Sequence, residues 1–410
     1  PEDWEVAKLG DKKVSLLIKS GSTPSKKVKD YWNGNIPFVT QSDMTKVDHY
    51  LYETSEKITE LGLKSSNLIL VPENSVLLSM YGTIGKVVIN KIPVAVSQNI
   101  AAIILNKKSI SEEYLYYAIQ VYSSQFRKWA KIITLKHLDI KIVKNSLIPL
   151  PSLPEQQKIA EILSTVDEAI QKTNEIIAKT ERLKKGLMQE LLTKGIGHKE
   201  FKDTEIGRIP KDWEVVRLGN IAEIIMGQSP PSRTYNREGK GLPFLQGKIE
   251  FGEIYPSPVL YCSQPIKIAE PNDILISVRA PVGDVNVAPF KLCIGRGLAA
   301  IRFNSQKAIY WFYFYYLQKI KNFLENLGKG STFKAITKDD LENLKVPLPS
   351  YSEQQKIAEI LLTIDKKLKI ERNRKRKLER IKQGLMDLLL TGKIRVKVDY
   401  KNKEEMIKCH

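Results

Sequence analysis

The sequence is poor in residues that build covalent or metal frameworks. It holds 3 cysteines, Cys262, Cys293 and Cys409, far apart and odd in number. That excludes a disulfide framework and points to a reducing compartment. No CxxC pair occurs, and the 4 histidines, His49, His137, His198 and His410, form no ligand cluster, so no metal site is expected. Long apolar runs are missing too. The longest strongly apolar stretch without a charge, Ala308 to Gln318, is too short for a bilayer, which takes roughly 18 or more apolar residues. The opening Pro-Glu-Asp-Trp carries no signal-peptide pattern. A cytoplasmic protein without membrane contact is expected.

Catalytic signatures are also lacking. No G-x-x-x-x-G-K-[ST] phosphate loop occurs, since GKGST at Gly328–Thr332 has the wrong order and spacing. No G-x-G-x-x-G opens a helix, and neither a G-x-S-x-G elbow nor an H-E-x-x-H pair exists. The Asx-Pro-Pro motif of amino-methyltransferases is absent, as Pro230-Pro231 follows Ser229. These gaps favour binding over catalysis: no catalytic residue is expected, and no cofactor in this chain.

What is present begins with charge. The 410 residues carry 65 Lys and Arg against 46 Asp and Glu, a formal charge of +19. So basic a chain suggests a polyanionic partner, and nucleic acid first. Hydrophobic residues at 42% and charged residues at 27% are those of a globular protein. The length calls for several domains.

The chain then repeats itself at a period of about 200 residues, too long for a solenoid. PEDWEVAKLG at Pro1–Gly10 returns as PKDWEVVRLG at Pro210–Gly219. IPLPSLPEQQKIAEIL at Ile148–Leu163 returns as VPLPSYSEQQKIAEIL at Val346–Leu361. ERLKKGLMQELLTKG at Glu181–Gly195 returns as ERIKQGLMDLLLTGK at Glu379–Lys393. Each copy is a variable globular part followed by a long helix. The globular parts read as mixed and mainly β, with strands near Ser75–Met80, Lys86–Ile89, Ile100–Leu105, Asp273–Val278 and Leu298–Phe303. Gly82, Gly85 and Gly283 suit hairpin turns of positive φ. Helices are expected over Ser111–Lys131 and Gln306–Leu327. The second contains the aromatic run Tyr310–Tyr316, either a base-stacking platform or, as an all-round apolar helix suggests, core.

Glu155–Thr193 shows a heptad seam through Ile162, Val166, Ile176, Leu183 and Leu187, and Glu353–Thr391 repeats it through Ile360, Ile364, Leu378, Ile381 and Leu385. Each helix would span roughly 55–60 Å at 1.5 Å per residue. If the seams pair, connectivity makes the helices antiparallel and brings the termini together. Gly186 and Gly384 occupy equivalent helical places, read as close backbone approach between helices or as a tolerated kink. Lys366–Lys382 carries ten basic and two acidic residues, against four and three in Glu168–Lys184. That surplus suits a DNA backbone, an acidic partner or a solvated face.

Aligned, the copies share a framework and differ at polar tips: Tyr81 against Arg279, Lys86 against Asp284, Gln98 against Arg296, Thr40 against Gln246. One scaffold with different Arg, Gln and Lys tips fits two readers of two sequences, since Arg and Lys suit guanine and Gln suits adenine. The candidate DNA contacts in the first copy are Lys26, Lys27, Lys29, Thr40, Gln41, Tyr81, Thr83, Lys86, Gln98 and Lys136. In the second they are Arg233, Tyr235, Arg237, Lys240, Gln246, Lys248, Arg279, Arg296, Lys329, Thr332 and Lys334.

With these motifs in register in both halves, the chain resembles the DNA-specificity subunit of type I restriction-modification systems. The D-W-E-V-x-[KR]-L-G openings and P-L-P-x-x-x-[EQ]-Q-x-K-I-A-E-I-L segments carry the resemblance across essentially the whole length. It implies an α+β chain: two similar mixed α/β target recognition domains, residues 1–150 and 198–348, separated by two long antiparallel helices forming a coiled coil, residues 151–197 and 349–395, with an internal pseudo-two-fold repeat and a tail over 396–410. It implies that each domain reads one half of a bipartite asymmetric target in double-stranded DNA. The helices would set the spacing and dock two methyltransferase subunits, and restriction subunits would complete the complex. S-adenosylmethionine, ATP and Mg would then belong to the partners. Two other readings stay open: a coiled-coil protein-binding scaffold, and an orphan DNA-binding subunit acting without restriction partners.

Overall fold

The computed structural model describes residues 1, 3–121, 137–327 and 335–398. It divides into two compact units. One holds Pro1–Thr173 and the chain from Arg374 onward, the other Asn174–Asn373. Each unit thus contains one variable domain and one part of each long helix.

In the first unit a five-stranded sheet has the order Ser15–Ser20, Ile100–Leu105, Val76–Ser79, Val87–Asn90, Tyr50–Leu51. Its strands are apolar on both faces: Val76, Ile89 and Ile103 pack into a large core with Tyr114 and Tyr117, while Leu77, Val88 and Ala102 pack into a second cluster with Met44 and Leu51. Double-sided burial accounts for Val- and Ile-rich runs without polar alternation. A smaller sheet pairs Glu56–Ile58, Trp32–Val39 and Ala95–Val96. The second unit repeats the plan with a four-stranded antiparallel sheet, Ala222–Met226, Leu298–Phe303, Ile274–Ser277, Val285–Val287. The expected strands are therefore present, and Gly82, Gly85 and Gly283 take φ of 64°, 87° and 89°.

In each domain the first strand closes on the last. Glu5–Lys8 pairs antiparallel with Leu147–Leu150, and Glu214–Arg217 with Lys345–Leu348. This brings each D-W-E-V opening against the P-L-P segment that starts a long helix. The helical expectation for the first domain holds over residues 112–121, Ser111 preceding the helix; residues 122–131 of that stretch lie outside the described residues. In the second domain the chain forms Tyr310–Lys319 and Lys321–Leu327. Phe312 through Leu317 are buried, so the aromatic run is core and offers no stacking platform.

The long helices span Leu153–Lys194 and Tyr351–Leu389. They run antiparallel within each unit. In the first, Lys382 pairs with Asp167 at 2.7 Å and Arg395 with Glu155 at 2.6 Å; in the second, Lys184 pairs with Asp365 at 2.6 Å and Arg372 with Glu181 at 2.6 Å. Arg395 also reaches Asp3 at 2.6 Å, which ties the first residues of this unit to the segment that follows the second long helix.

Of the expected seam, Ile162 and Leu385 pack on the first core, Leu187 on the second, Ile364 is buried, and Val166, Ile176 and Leu378 are half-buried. Three positions depart from it. Leu183, Ile381 and Ile360 are 55%, 51% and 38% exposed. The cause is one residue of rotation, about 100° of helix. Lys184 and Lys382 turn inward to their aspartates, which swings Leu183 and Ile381 out, and fully buried Leu361 takes the place expected of Ile360. The close-approach reading of the paired glycines is also wrong: a Cβ on Gly186 or Gly384 would meet nothing within 4 Å.

Candidate nucleic-acid interface

In the first unit, polar loops gather at the ends of the two sheets. The turn after Val76–Ser79 is tied to the turn before Ile100 by the Met80 N–H donating to Asn99 O at 2.8 Å. The latter turn is tied to the end of Trp32–Val39 by the Ser97 N–H donating to Val39 O at 3.1 Å. Gln41 then crosses to the hairpin, its Nε2 donating to Tyr81 O at 2.7 Å and to Thr83 Oγ1 at 3.3 Å. Gly82 is needed there, because a side chain would strike the Gln41 amide. Gln41, Tyr81, Thr83 and Gln98 thus share one loop cluster, and the last three are exposed.

Thr40 and Lys86 sit there too, but already engaged. Thr40 begins the helix Gln41–Lys46 with a capping box, its N–H and hydroxyl donating to Asp43 at 2.8 and 2.6 Å. Burial opposes ionisation of Asp43, yet hydrogen bonds from Ser55 and Thr40 outweigh it and hold this carboxyl below its usual range. Thr40 therefore shapes the loop rather than presenting a free tip. Lys86 is half-buried with its Nζ donating to Asp48 O at 3.3 Å, and burial lowers its pKa. Lys26 pairs with Glu56 at 2.7 Å, and its ammonium stands 5.1 Å from the Trp32 ring centroid. Lys27 and Lys29 are exposed beside it in sequence, and Lys136 lies outside the described residues.

The second unit builds the corresponding cluster with other side chains. The Val278 N–H donates to Gly297 O at 3.0 Å, and the Gly297 N–H to Gln246 O at 3.2 Å, linking the loops that carry Arg279, Arg296 and Gln246. Gly297 permits this approach, since a Cβ would lie 2.6 Å from Gln246 O. The Arg296 N–H also donates to Ser229 Oγ at 3.2 Å. Arg279, Arg296 and Gln246 are exposed, and among the described residues neither arginine forms an ion pair. Lys248 is spent differently: it pairs with Asp284, which also takes Lys321 at 2.6 Å. Burial opposes the Asp284 charge, but the two lysines outweigh it and depress the carboxyl's pKa. Lys248 is thus a loop anchor. Tyr235 is likewise tied down, its hydroxyl donating to Pro230 O at 2.7 Å and its ring lying 4.6 Å from Phe244. Arg233, Arg237 and Lys240 are exposed, Lys240 with Glu238 3.6 Å away. Lys329, Thr332 and Lys334 lie outside the described residues. Sequence reasoning passed over Ile249, which is 90% exposed on the turn just after Lys248. No pattern distinguishes it from a core isoleucine.

Reading the sequence also missed what the repeated motifs do. Glu155 accepts from Trp4 Nε1 at 3.3 Å and from Arg395; Glu353 accepts from Trp213 Nε1 at 3.0 Å and from His198 at 2.9 Å. Each glutamate therefore joins its own domain's opening tryptophan to the segment leaving the other helix. The next residues, Gln156 and Gln354, bind backbone at the start of the helix that follows the sheet. Gln156 accepts from Ser111 N–H at 3.0 Å, and Gln354 from Ile309 N–H at 2.8 Å. A third lock repeats along the helices. The Tyr117 hydroxyl donates to Asp167 at 2.9 Å while Lys382 grips the same carboxylate; Tyr315 donates to Asp365 at 2.7 Å while Lys184 does so. Burial, then the adjacent carboxylate, raises both phenols' pKa, which keeps them donors. The signal available was the equal spacing of these Tyr, Asp and Lys residues in the two copies.

Among the described residues no cluster of His, Cys, Asp or Glu could hold a metal ion, and no helix is long and apolar enough to cross a membrane.

Comparison with known proteins agrees with this geometry. The family described as type I restriction modification DNA specificity domain matches twice, over residues 1–182 and 210–380. The chain is 46% identical over 409 residues to a Methanocaldococcus jannaschii protein assigned as the specificity subunit of the type I restriction enzyme MjaX, covering 97% of this chain and 95% of that one. It is 32% identical to the MjaVIII specificity subunit of the same organism, covering 97% and 94%. Among solved structures, a chain from a study of complex assembly and conformational transition in the type I restriction-modification system superposes with a TM-score of 0.58 at 29% identity, covering 95% and 98%. The type I S subunit from M. genitalium shares the fold, with a TM-score of 0.62 at 17% identity, covering 95% and 96%. A duplicated domain with paired helices, unlike loop tips on a common frame and a whole-length match place this chain in the family of type I restriction-modification DNA-specificity subunits.

Proposed function

We propose that the chain reads a bipartite DNA target, one half per domain, and sets the gap between the halves with its helices. The carrying observation is the loop cluster: the same sheet ends present Tyr81, Thr83 and Gln98 in one domain and Arg279, Arg296 and Gln246 in the other. Arginine is suited to guanine O6 and N7, and glutamine to adenine, so the two clusters favour different bases. Residues 1–150 and 198–348 are the reading domains in this account, and 151–197 and 349–395 the spacer helices.

Two methyltransferase subunits and restriction subunits would supply catalysis, bringing S-adenosylmethionine, ATP and Mg. Helix pairing and partner docking were both expected of Leu183, Ile360 and Ile381; as exposed apolar positions on the helix exteriors they suit the docking role. The protein would work in the cytoplasm, where its DNA is. A protein-binding scaffold without DNA has no observation favouring it over this reading.

Exchange of residues 198–348 for the corresponding domain of a relative tests the modular assignment. Sequencing of selected duplexes should show one half-site altered and the other retained. Alteration of both halves would overturn it.

A further inference from the structure

The outer face of the second long helix is a basic stripe that the loop clusters do not explain. Lys366, Lys369, Lys377 and Arg380 are all exposed. At 3.6 residues per turn they fall within an arc of about 80° and extend about 21 Å along the helix. They lie opposite the inward face of Ile357, Leu361, Ile364 and Leu368. Among the described residues none of the four forms an ion pair, whereas the inward-turned Lys382 and the flank residue Arg372 do. Between Lys366 and Arg380 this arc contains no acidic residue.

The duplication provides an internal control. The corresponding positions on the first long helix are Glu168, Gln171, Lys179 and Arg182, with Glu175 where the second helix has Asn373. That face is balanced in charge. Solubility does not account for so local a difference between two copies of one helix. A partner that docked alike on both copies would meet glutamates on one helix and lysines on the other, so the stripe is not addressed to such a partner. It fits a single extended polyanion lying along one helix only. Duplex DNA, with one phosphate per about 1.7 Å of axis, offers that charge density over the stripe's length.

We infer that Lys366, Lys369, Lys377 and Arg380 form a sequence-independent contact to duplex phosphates. This rests on the DNA-reading function proposed above and adds a site that reads no base. Each neutralised phosphate should contribute about 0.9 to the slope of log affinity against log salt. The test uses the full chain with its co-purifying subunits, as wild type and as the quadruple variant Lys366→Gln, Lys369→Gln, Lys377→Gln and Arg380→Gln. Glutamine keeps helix propensity, and far-ultraviolet circular dichroism checks the fold. Binding to a 40-base-pair duplex of arbitrary sequence is titrated from low to high salt.

The expected result is a slope shallower by about 3 to 4 in the variant, with affinity lost equally for every duplex sequence and the same subunits still co-purifying. An unchanged slope would overturn the inference while leaving the reader function intact. Loss of co-purifying subunits at unchanged slope would also overturn it and assign the stripe to an acidic protein. Failure of the wild-type complex to bind any duplex would remove both this inference and the function beneath it.

Discussion

At the residue scale, the two copies separate framework from readout. Framework residues recur with the same partners: Trp4 and Trp213 on Glu155 and Glu353, Tyr117 and Tyr315 on Asp167 and Asp365. Readout candidates differ between copies and are exposed. Arg279 and Arg296 are the strongest, because neither is consumed by an ion pair among the described residues. Arg279→Ala should relax discrimination at one base pair by about 1–3 kcal/mol if the guanidinium is bidentate to guanine. Competition between single-base variants of the target would measure it, and an equal loss on all of them would mark a phosphate contact instead. Residue roles were only partly legible in the sequence. A list of polar tips cannot show that Thr40 caps a helix or that Lys248 is held by Asp284, since these depend on partners 3 and 36 residues away that geometry selects.

At the element scale, the strands and the two long helices could be read from the sequence because their signals are local: Val- and Ile-rich runs, glycine turns and apolar periodicity. The rotation of the helices could not. Ile162 and Leu163, or Ile360 and Leu361, are equally plausible seam positions by hydrophobicity alone, and hydrophobicity would place Leu183 rather than Lys184 inside. The choice is made by Asp167 and Asp365, which draw a lysine inward from the facing helix. The same reasoning revises the paired glycines. Gly186 and Gly384 leave open space around an added Cβ, so their substitution should relieve a cost rather than create a clash. Gly186→Ala and Gly384→Ala should each stabilise the fold by about 1 kcal/mol. Denaturant midpoints would show it, and destabilisation would return the glycines to the role of close-packing positions.

At the scale of the whole molecule, the duplication is a division of labour. Each compact unit holds a complete domain and a stretch of both helices, locked by the Trp–Glu and Tyr–Asp–Lys contacts within that unit. Loops can then vary while the locks stay, which is what independent exchange of reading domains requires. This level was the most legible in the sequence, because a repeat in register declares itself without any contact being known. The identity of the bound DNA was not, because the loop residues proposed to read it are exposed and follow no local pattern. Selection from random duplex DNA, with the full chain alone and with its co-purifying partners, tests the central claim most directly. The account predicts two short, unlike sequence blocks at one fixed spacing. A single block, or two blocks at variable spacing, would contradict it.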